Sequence, residues 1–206
     1  MSSAMLAALG LAMGMSYASG LRLYATVAVL GLLHRIGVVH LPASLSILGN
    51  PIVIAIALAL YALEFFADKI PYVGSVWNAI HTFIRPPAAA LLSYAALSPA
   101  PSEWRILGAL LGGGVAFSSH SIKTALRTPL EASPEPFSTS AFSLAEDGLA
   151  GAVAWLAVAH PILTLVVVVA LFAATLYLTV RLYRAFRSMF GRFIRAFRGV
   201  RPAVKA

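Results

Sequence analysis

The stretch YALEFFADKIPYVGSVWNAIHTFIRP, residues 61–86, gathers charged side chains within a chain that is otherwise mainly Ala, Leu, Val and Gly. Its charged and histidine residues are Glu64, Asp68, Lys69, His81 and Arg85. A charge at the centre of a membrane helix costs roughly 2.5–3.5 kcal/mol, so such groups are expected to pair, to face a cavity or to reach the interface. Glu64 and Asp68 are four residues apart and share one helix face. The stretch predicts a multi-pass membrane protein with a polar interior.

The composition supports this class. The chain has 206 residues, 60% hydrophobic and 11% charged, whereas soluble domains have about 25% charged residues. Residues 181–206 hold eight of the fifteen basic residues and no acid, and the other seven bases equal the seven acids. Positive-inside sorting explains a basic end beside an apolar helix, so no nucleic-acid partner is expected. Without cysteine, thiolate catalysis and disulfides are excluded, and no cofactor is expected.

The apolar segments predict an all-α fold with about six transmembrane helices, some of them discontinuous. The expected spans are 4–33, 51–67, 73–97 with a kink at 85–87, 104–126, 144–159 and 162–182. A capping box formed by Ser143 and Glu146 places the start of the fifth near Leu144, after a loop at 128–141. Residues 1–182 would form the membrane domain. An even number of spans with a cytoplasmic basic end predicts that both termini are cytoplasmic, and the family resemblance given below implies a bacterial inner membrane.

A cluster of polar and small residues, 16–22, interrupts the first span and ends in Arg22. Such a cluster is typical of a discontinuous helix whose exposed backbone lines protein or water. The alternative is a long tilted helix that packs closely through the GxxxG pair Gly10 and Gly14.

The fourth span repeats this pattern, because a second GxxxG pair precedes a polar cluster at 118–123. Aligning residues 17–25 with 118–126 places Arg22 on Lys123. This echo predicts two inverted three-helix repeats, 4–98 and 103–182, as in small transporters. Chance similarity between two Gly/Ser-rich helices is the alternative.

Residues 183–206 form a basic tail with helical periodicity. Its aromatic face contains Tyr183, Phe186, Phe190, Phe193 and Phe197, and its basic face contains Arg184, Arg187, Arg192, Arg195 and Arg198. This pattern predicts a cytoplasmic amphipathic helix on the anionic lipid headgroups of the bilayer. The alternative is a disordered tail that only sets the orientation of the protein.

Nine residues form the predicted substrate or ion pathway. They are Arg22, Glu64, Asp68, His81, Arg85, His120, Lys123, Glu146 and Asp147. Cations at helix breaks suit an anionic solute, and carboxylates beside histidines suit proton or cation coupling. The alternative assigns these charges, with Arg127, to ion pairs that fix the fold. A carboxylate and histidine metal site, or a hydrolase based on serines beside His120, lacks a characteristic spacing, so no catalytic or metal residue is assigned.

Several segments carry a family resemblance: SGLR at 19–22, ADKIP at 67–71 with the following Trp77, HTFIRP at 81–86 and SPEPFSTSAFSLAEDG at 133–148. They resemble a bacterial integral membrane family that is catalogued only as a domain of unknown function. The resemblance spans most of residues 10–165 and leaves the basic tail outside. It implies a multi-pass bacterial membrane protein and no activity.

These observations favour a small secondary transporter or channel-like permease for a charged solute. A homo-oligomer is expected, because about 200 residues form only a thin-walled pathway. One alternative is a non-transporting scaffold or lipid-binding protein, which predicts a solid interior with every charge paired. Another is a membrane enzyme acting on lipid, which predicts a lateral opening with His81 or His120 exposed.

Overall fold

The computed structural model describes residues 2–70, 73–131 and 136–199. Within these ranges all regular secondary structure is helical, which confirms the predicted all-α class. The elements are α1 (Ser3–Arg35), a 3-10 helix (Ala43–Gly49), α2 (Pro51–Ala67), α3 (Val73–Ala96), α4 (Ser102–Glu131), α5 (Pro136–Ala159) and α6 (Pro161–Gly199).

Helix α1 is the centre of the bundle and packs against every other helix. Residues 10–23 are all buried, as expected for a helix that is apolar around its whole circumference. Small residues allow the neighbouring helices to approach closely. A Cβ on Gly20 would lie 1.9 Å from Ser119 Oγ and 2.3 Å from the Ala116 carbonyl oxygen, so α4 crosses α1 where only glycine fits.

The first span is discontinuous, as the polar cluster at 16–22 predicted. Arg22 has φ −148° and ψ 84°, outside the helical region, so α1 consists of two helical segments that meet at this residue. The close packing of the alternative interpretation is also present, because Gly10 lies directly against the Pro161 carbonyl group. Helix α1 is therefore both interrupted and tightly packed.

The chain is a membrane protein by the length and apolar character of its helices. In the part of the chain that the structure describes, three helices are long and apolar enough to cross a bilayer: Ser3–Arg35, Thr139–Ala159 and Pro161–Arg181. The 3-10 helix and α2, bent by 63° at Asn50, form a fourth span if they cross together. Helices α3 and α4 carry buried polar residues on their inner faces, among them His81, Arg85 and Lys123.

Three local predictions were wrong. Helix α5 begins at Pro136 rather than near Leu144, so Ser143 is not its cap and Glu146 and Asp147 lie inside the helix rather than in its first turn. Most of the predicted loop at 128–141 is helical in the described residues. The second helix break, expected at 118–123, is also absent from the described residues, because α4 is one continuous helix over this segment.

The last helix passes through the predicted domain boundary at residue 182. Helix α6 is a single α-helix from Pro161 to Gly199, which includes most of the basic tail. The Arg187 side chain is exposed. The structure does not describe the other side chains of the predicted membrane-surface set, which are Phe186, Phe190, Phe193, Arg195 and Phe197.

Candidate functional site: a buried ion cluster at the break in α1

Eight charged side chains from five helices meet at the break in α1. This central ion cluster consists of Arg22, Glu64, Asp68, Arg85, Lys123, Arg127, Glu146 and Asp147. Four carboxylates balance four cations, so its formal charge is zero. The Asp147 side chain is 15% exposed, and the other seven are at most 6% exposed.

Residue spacing on the helices explains this convergence. Glu64 lies in the last turn of α2 and Asp68 directly follows that helix, so their four-residue spacing directs both carboxylates to the same side. Lys123 and Arg127 are spaced in the same way on α4. Glu146 and Asp147 are adjacent on α5 and diverge, because successive helical residues are rotated by about 100°.

Arg22 contacts all four carboxylates. Its Nη1 lies 3.1 Å from Glu64 Oε1 and 2.5 Å from Asp68 Oδ2. Its Nη2 lies 3.1 Å from Glu146 Oε2, and its Nε lies 2.8 Å from Asp147 Oδ1. The guanidinium group is therefore the hub of the cluster, at the residue where the backbone of α1 leaves the helical conformation.

The other three cations complete the pairing. Arg85 Nη2 lies 2.5 Å from Glu64 Oε1. Lys123 Nζ lies 3.6 Å from Glu64 Oε1 and 3.3 Å from Glu146 Oε2. Arg127 Nη1 lies 2.7 Å from Asp68 Oδ2 and 3.3 Å from Glu146 Oε2. Every charge in the cluster thus has an opposite charge within 4 Å. Such pairing offsets part of the cost of removing the charges from water.

Two of these cations also bind the backbone of α1 just before its break. Arg85 Nη1 donates to the carbonyl oxygens of Gly20 and Leu21 at 2.8 and 2.9 Å, and Lys123 Nζ donates to that of Leu21 at 3.0 Å. Carbonyl groups at a helix end lack their usual partners and carry partial negative charge, which cations stabilise. The cluster therefore satisfies backbone groups that hydrocarbon would leave unpaired.

Both predicted histidines are buried beside the cluster. His120 Nδ1 lies 2.9 Å from Arg85 Nη1, and because arginine can only donate, Nδ1 accepts. His120 Nε2 lies 3.1 Å from the Asn78 carbonyl oxygen. His81 instead hydrogen-bonds the Trp77 carbonyl oxygen and the Tyr24 hydroxyl group, at 2.8 and 3.0 Å. His120 is thus a direct neighbour of the cluster, and His81 belongs to an adjacent hydrogen-bonded group.

The structure brings all nine predicted pathway residues into this region and adds others. Arg127, considered only as a pairing partner, is a full member of the cluster. The Tyr61 hydroxyl group donates to Asp147 Oδ2 at 2.8 Å, and Ser143 Oγ accepts from Arg127 Nη2 at 3.0 Å. Tyr61 precedes Glu64 by three residues, so helical spacing could have identified it. Ser143 was assigned to a cap instead.

The cluster retains unused acceptor capacity. Among the residues that the structure describes, Glu64 Oε2, Asp68 Oδ1 and Glu146 Oε1 are buried acceptors without a hydrogen-bond partner, and Arg85 Nε is a buried donor without one. Leaving buried acceptors unpaired is costly, so such atoms in a native protein call for an explanation. Within the same ranges, no group of three or more histidine and carboxylate side chains is arranged to hold a metal ion.

A lateral groove of about 250 Å³ reaches the cluster between α1, α4, α5 and α6. Its walls are largely apolar, with Leu126, Phe142 and Leu171 among them. Its charged lining residues are Lys123 and Glu146. The groove therefore leads from an apolar opening to one ion pair of the cluster.

Comparisons with known proteins identify a family and no activity. The family model described as "Domain of unknown function (DUF4126)" matches residues 9–181. No curated protein and no solved structure matches the chain.

Proposed function

This chain belongs to the DUF4126 family, and we propose that it is a small secondary transporter or channel-like permease for a charged solute. The observation that carries the proposal is the central ion cluster at the break in α1. Discontinuous helices whose ends point at charged groups are a recurring way of building solute sites in transporters. Ionisable residues within membrane spans commonly mark pathways for substrates or ions.

A purely structural role would not require this arrangement. An unbroken α1 would satisfy the carbonyl groups of Gly20 and Leu21 internally, without Arg85 or Lys123. Replacing buried ion pairs with apolar residues of similar volume is often neutral or stabilising. An interior that keeps eight charges and an interrupted central helix is therefore better explained by solute exchange than by stability.

The contacts within the cluster indicate which residues would take part in solute exchange. Arg22 and Lys123 would meet the solute, because both lie at the break and bridge several carboxylates. Glu64, Asp68 and Glu146 would gate the pathway or carry protons, together with Asp147. The bonded state of the cluster then corresponds to a closed conformation, which opens when solute or proton replaces one of its internal partners.

We extend this proposal to the topology. The outward faces of α3 and α4 carry exposed apolar side chains such as Phe83, Leu91, Leu110 and Phe117, which suits contact with lipid. Both helices would then cross the bilayer and bring the total to six spans, arranged as two inverted repeats. Both termini would be cytoplasmic in a bacterial inner membrane, and the permease would be a homo-oligomer.

We also propose that the basic tail binds anionic lipid headgroups. Continuous helix to Gly199 supports an ordered tail rather than a disordered one. Retention of a peptide of residues 183–206 by anionic vesicles, and its release by salt, is the expected result. Equal binding to neutral vesicles would contradict it.

A non-transporting scaffold or lipid-binding protein is the second candidate. One observation favours it: every charge of the cluster has an opposite charge within 4 Å. A fully paired interior can also be a rigid one. The two candidates differ in whether water ever reaches the cluster.

Thiol labelling tests this difference, because the chain has no cysteine of its own. Ser143→Cys places a thiol beside Arg127, and the control Ser93→Cys places one at an equally buried site where Ser93 Oγ lies 2.7 Å from Ser16 Oγ. In liposomes that contain the full chain, a membrane-impermeant methanethiosulfonate should label the first variant and not the second. After denaturation both should react. Equal protection of both thiols in the folded protein would overturn the permease.

A further inference from the structure

The lateral groove indicates what kind of solute reaches the cluster. We propose that the groove binds an amphiphilic cation with a single alkyl chain, a long-chain alkylammonium, which enters from the bilayer and places its ammonium group on Glu146. This inference rests on the proposed function, because it assigns a substrate class to the same cluster, and it moves the first contact of the solute charge from Lys123 to Glu146.

The walls of the groove account for the alkyl chain. They are formed by apolar side chains of α1, α4, α5 and α6, among them Leu126, Leu149 and Leu178. Two hydroxyl-bearing residues, Tyr17 and Thr175, also line the groove. Apolar pockets with a few placed polar groups are typical of sites for small molecules. A volume of about 250 Å³ suits one slender chain better than a bulky ligand.

The inner end of the groove accounts for a cationic head. Lys123 Nζ already has the Leu21 carbonyl oxygen at 3.0 Å and carboxylate oxygens of Glu146 and Glu64 at 3.3 and 3.6 Å. An ammonium group has three donors, so these three neighbours leave little capacity for an anion.

Glu146 differs from Lys123 in this respect. Its Oε2 is shared by Arg22, Lys123 and Arg127, while its Oε1 is buried with no hydrogen-bond partner in the described part of the chain. The unused group at the end of the groove is therefore an anionic acceptor. A primary ammonium group supplies the hydrogen-bond donor that this oxygen lacks.

Photolabelling of the full chain in lipid nanodiscs tests this inference. The probe is dodecylammonium with a diazirine near the methyl end, and labelled peptides are mapped by mass spectrometry. Labelling of the groove segments of α4, α5 and α6 should saturate and should be competed by unlabelled dodecylammonium. Dodecanoate, which has a similar chain and the opposite charge, should not compete.

Two variants locate the site. Glu146→Gln removes the anionic partner, and Ala174→Phe fills the groove without changing any charge. Each should weaken labelling by at least about tenfold, the effect expected from losing one charged hydrogen bond or the space for the chain. The matched control is Ala173→Phe, because Ala173 is also exposed on α6 and is not among the residues that line the groove. It should leave labelling unchanged.

Labelling that dodecanoate competes equally well, or that persists in the Ala174→Phe variant, would overturn the inference. The Ala174→Phe arm remains informative even if Glu146→Gln fails to fold. Failure of the probe combined with labelling of Ser143→Cys by the thiol reagent would reject the alkylammonium substrate and retain the permease. Saturable probe binding with Ser143→Cys always protected would retain the groove site and reject the permease.

Discussion

Removing the hub of the central ion cluster should destabilise the protein strongly. Arg22→Gln leaves four carboxylates beside three cations, at a site where seven of the eight side chains are at most 6% exposed. Breaking a buried ion pair by removing one partner typically costs about 3–5 kcal/mol, because the other charge remains buried without compensation. For a chain of this size, the expected fall in the unfolding midpoint is about 6–20 °C.

The assay is thermal unfolding of the full chain in lipid nanodiscs, followed by intrinsic fluorescence. Arg35→Gln is the matched control, since Arg35 is an exposed arginine of the same helix and should shift the midpoint by no more than about 2 °C. Adding Asp147→Asn to Arg22→Gln restores the charge balance. Asp147 is the most exposed of the four carboxylates, so the double variant should recover part of the lost stability. The reasoning is refuted if Arg22→Gln matches Arg35→Gln, or if the double variant is less stable than the single one.

Further outcomes follow from packing and topology. Gly20→Ala should destabilise the protein by about 1–3 kcal/mol in the same assay, because the new Cβ would collide with Ser119 and the backbone of α4. Gly151→Ala is its control, because this glycine lies inside α5 with nothing within 4 Å of its Cβ position. The stability of this variant should be unchanged or higher by up to about 1 kcal/mol. A loss as large as that of Gly20→Ala would argue against the collision. For the six-span topology, single cysteines at Ser2 and Arg187 should react with an impermeant reagent from the same side of the membrane, whereas labelling from opposite faces would require an odd number of spans.

The members of the ion cluster could be predicted from sequence because hydrocarbon rejects charge so strongly. In an otherwise apolar chain, each buried charge needs a nearby partner, and the short list of charged residues limits the choices. Arg127 was harder to assign because it lies near the end of α4, where a cation could equally face the headgroups. Which carboxylate meets which cation depends on how the helices pack, and no local pattern contains that information.

The local capping signal failed because the same two side chains make tertiary contacts instead. Ser143 and Glu146 have the spacing of a capping box, yet the Ser143 hydroxyl group binds Arg127 and the Glu146 carboxylate binds three cations. Helix α5 consequently begins at Pro136 and includes both residues. Tertiary partners here replaced the local backbone partners on which the cap prediction depended.

The two polar clusters also show why composition alone cannot place a helix break. In α4, Ser121 and Thr124 donate to carbonyl oxygens four residues earlier, at 2.7 and 3.0 Å, and the helix remains continuous. In α1, Ser16 makes the same kind of bond at 2.8 Å, yet the backbone leaves the helix at Arg22. The difference lies in the neighbours, because α1 has cations from two other helices at the carbonyl groups before its break.

This dependence links the conformation of α1 to the state of the ion cluster. Arg85 and Lys123 each bind both a carboxylate of the cluster and a carbonyl group before the break. A charged solute that displaced either cation from its carboxylate would also remove its hydrogen bond to the backbone, and closing the break would satisfy those carbonyl groups again. In the proposed permease, α1 and the cluster therefore form one two-state element: solute exchange at the side chains would change the shape of the central helix, against which every other helix packs.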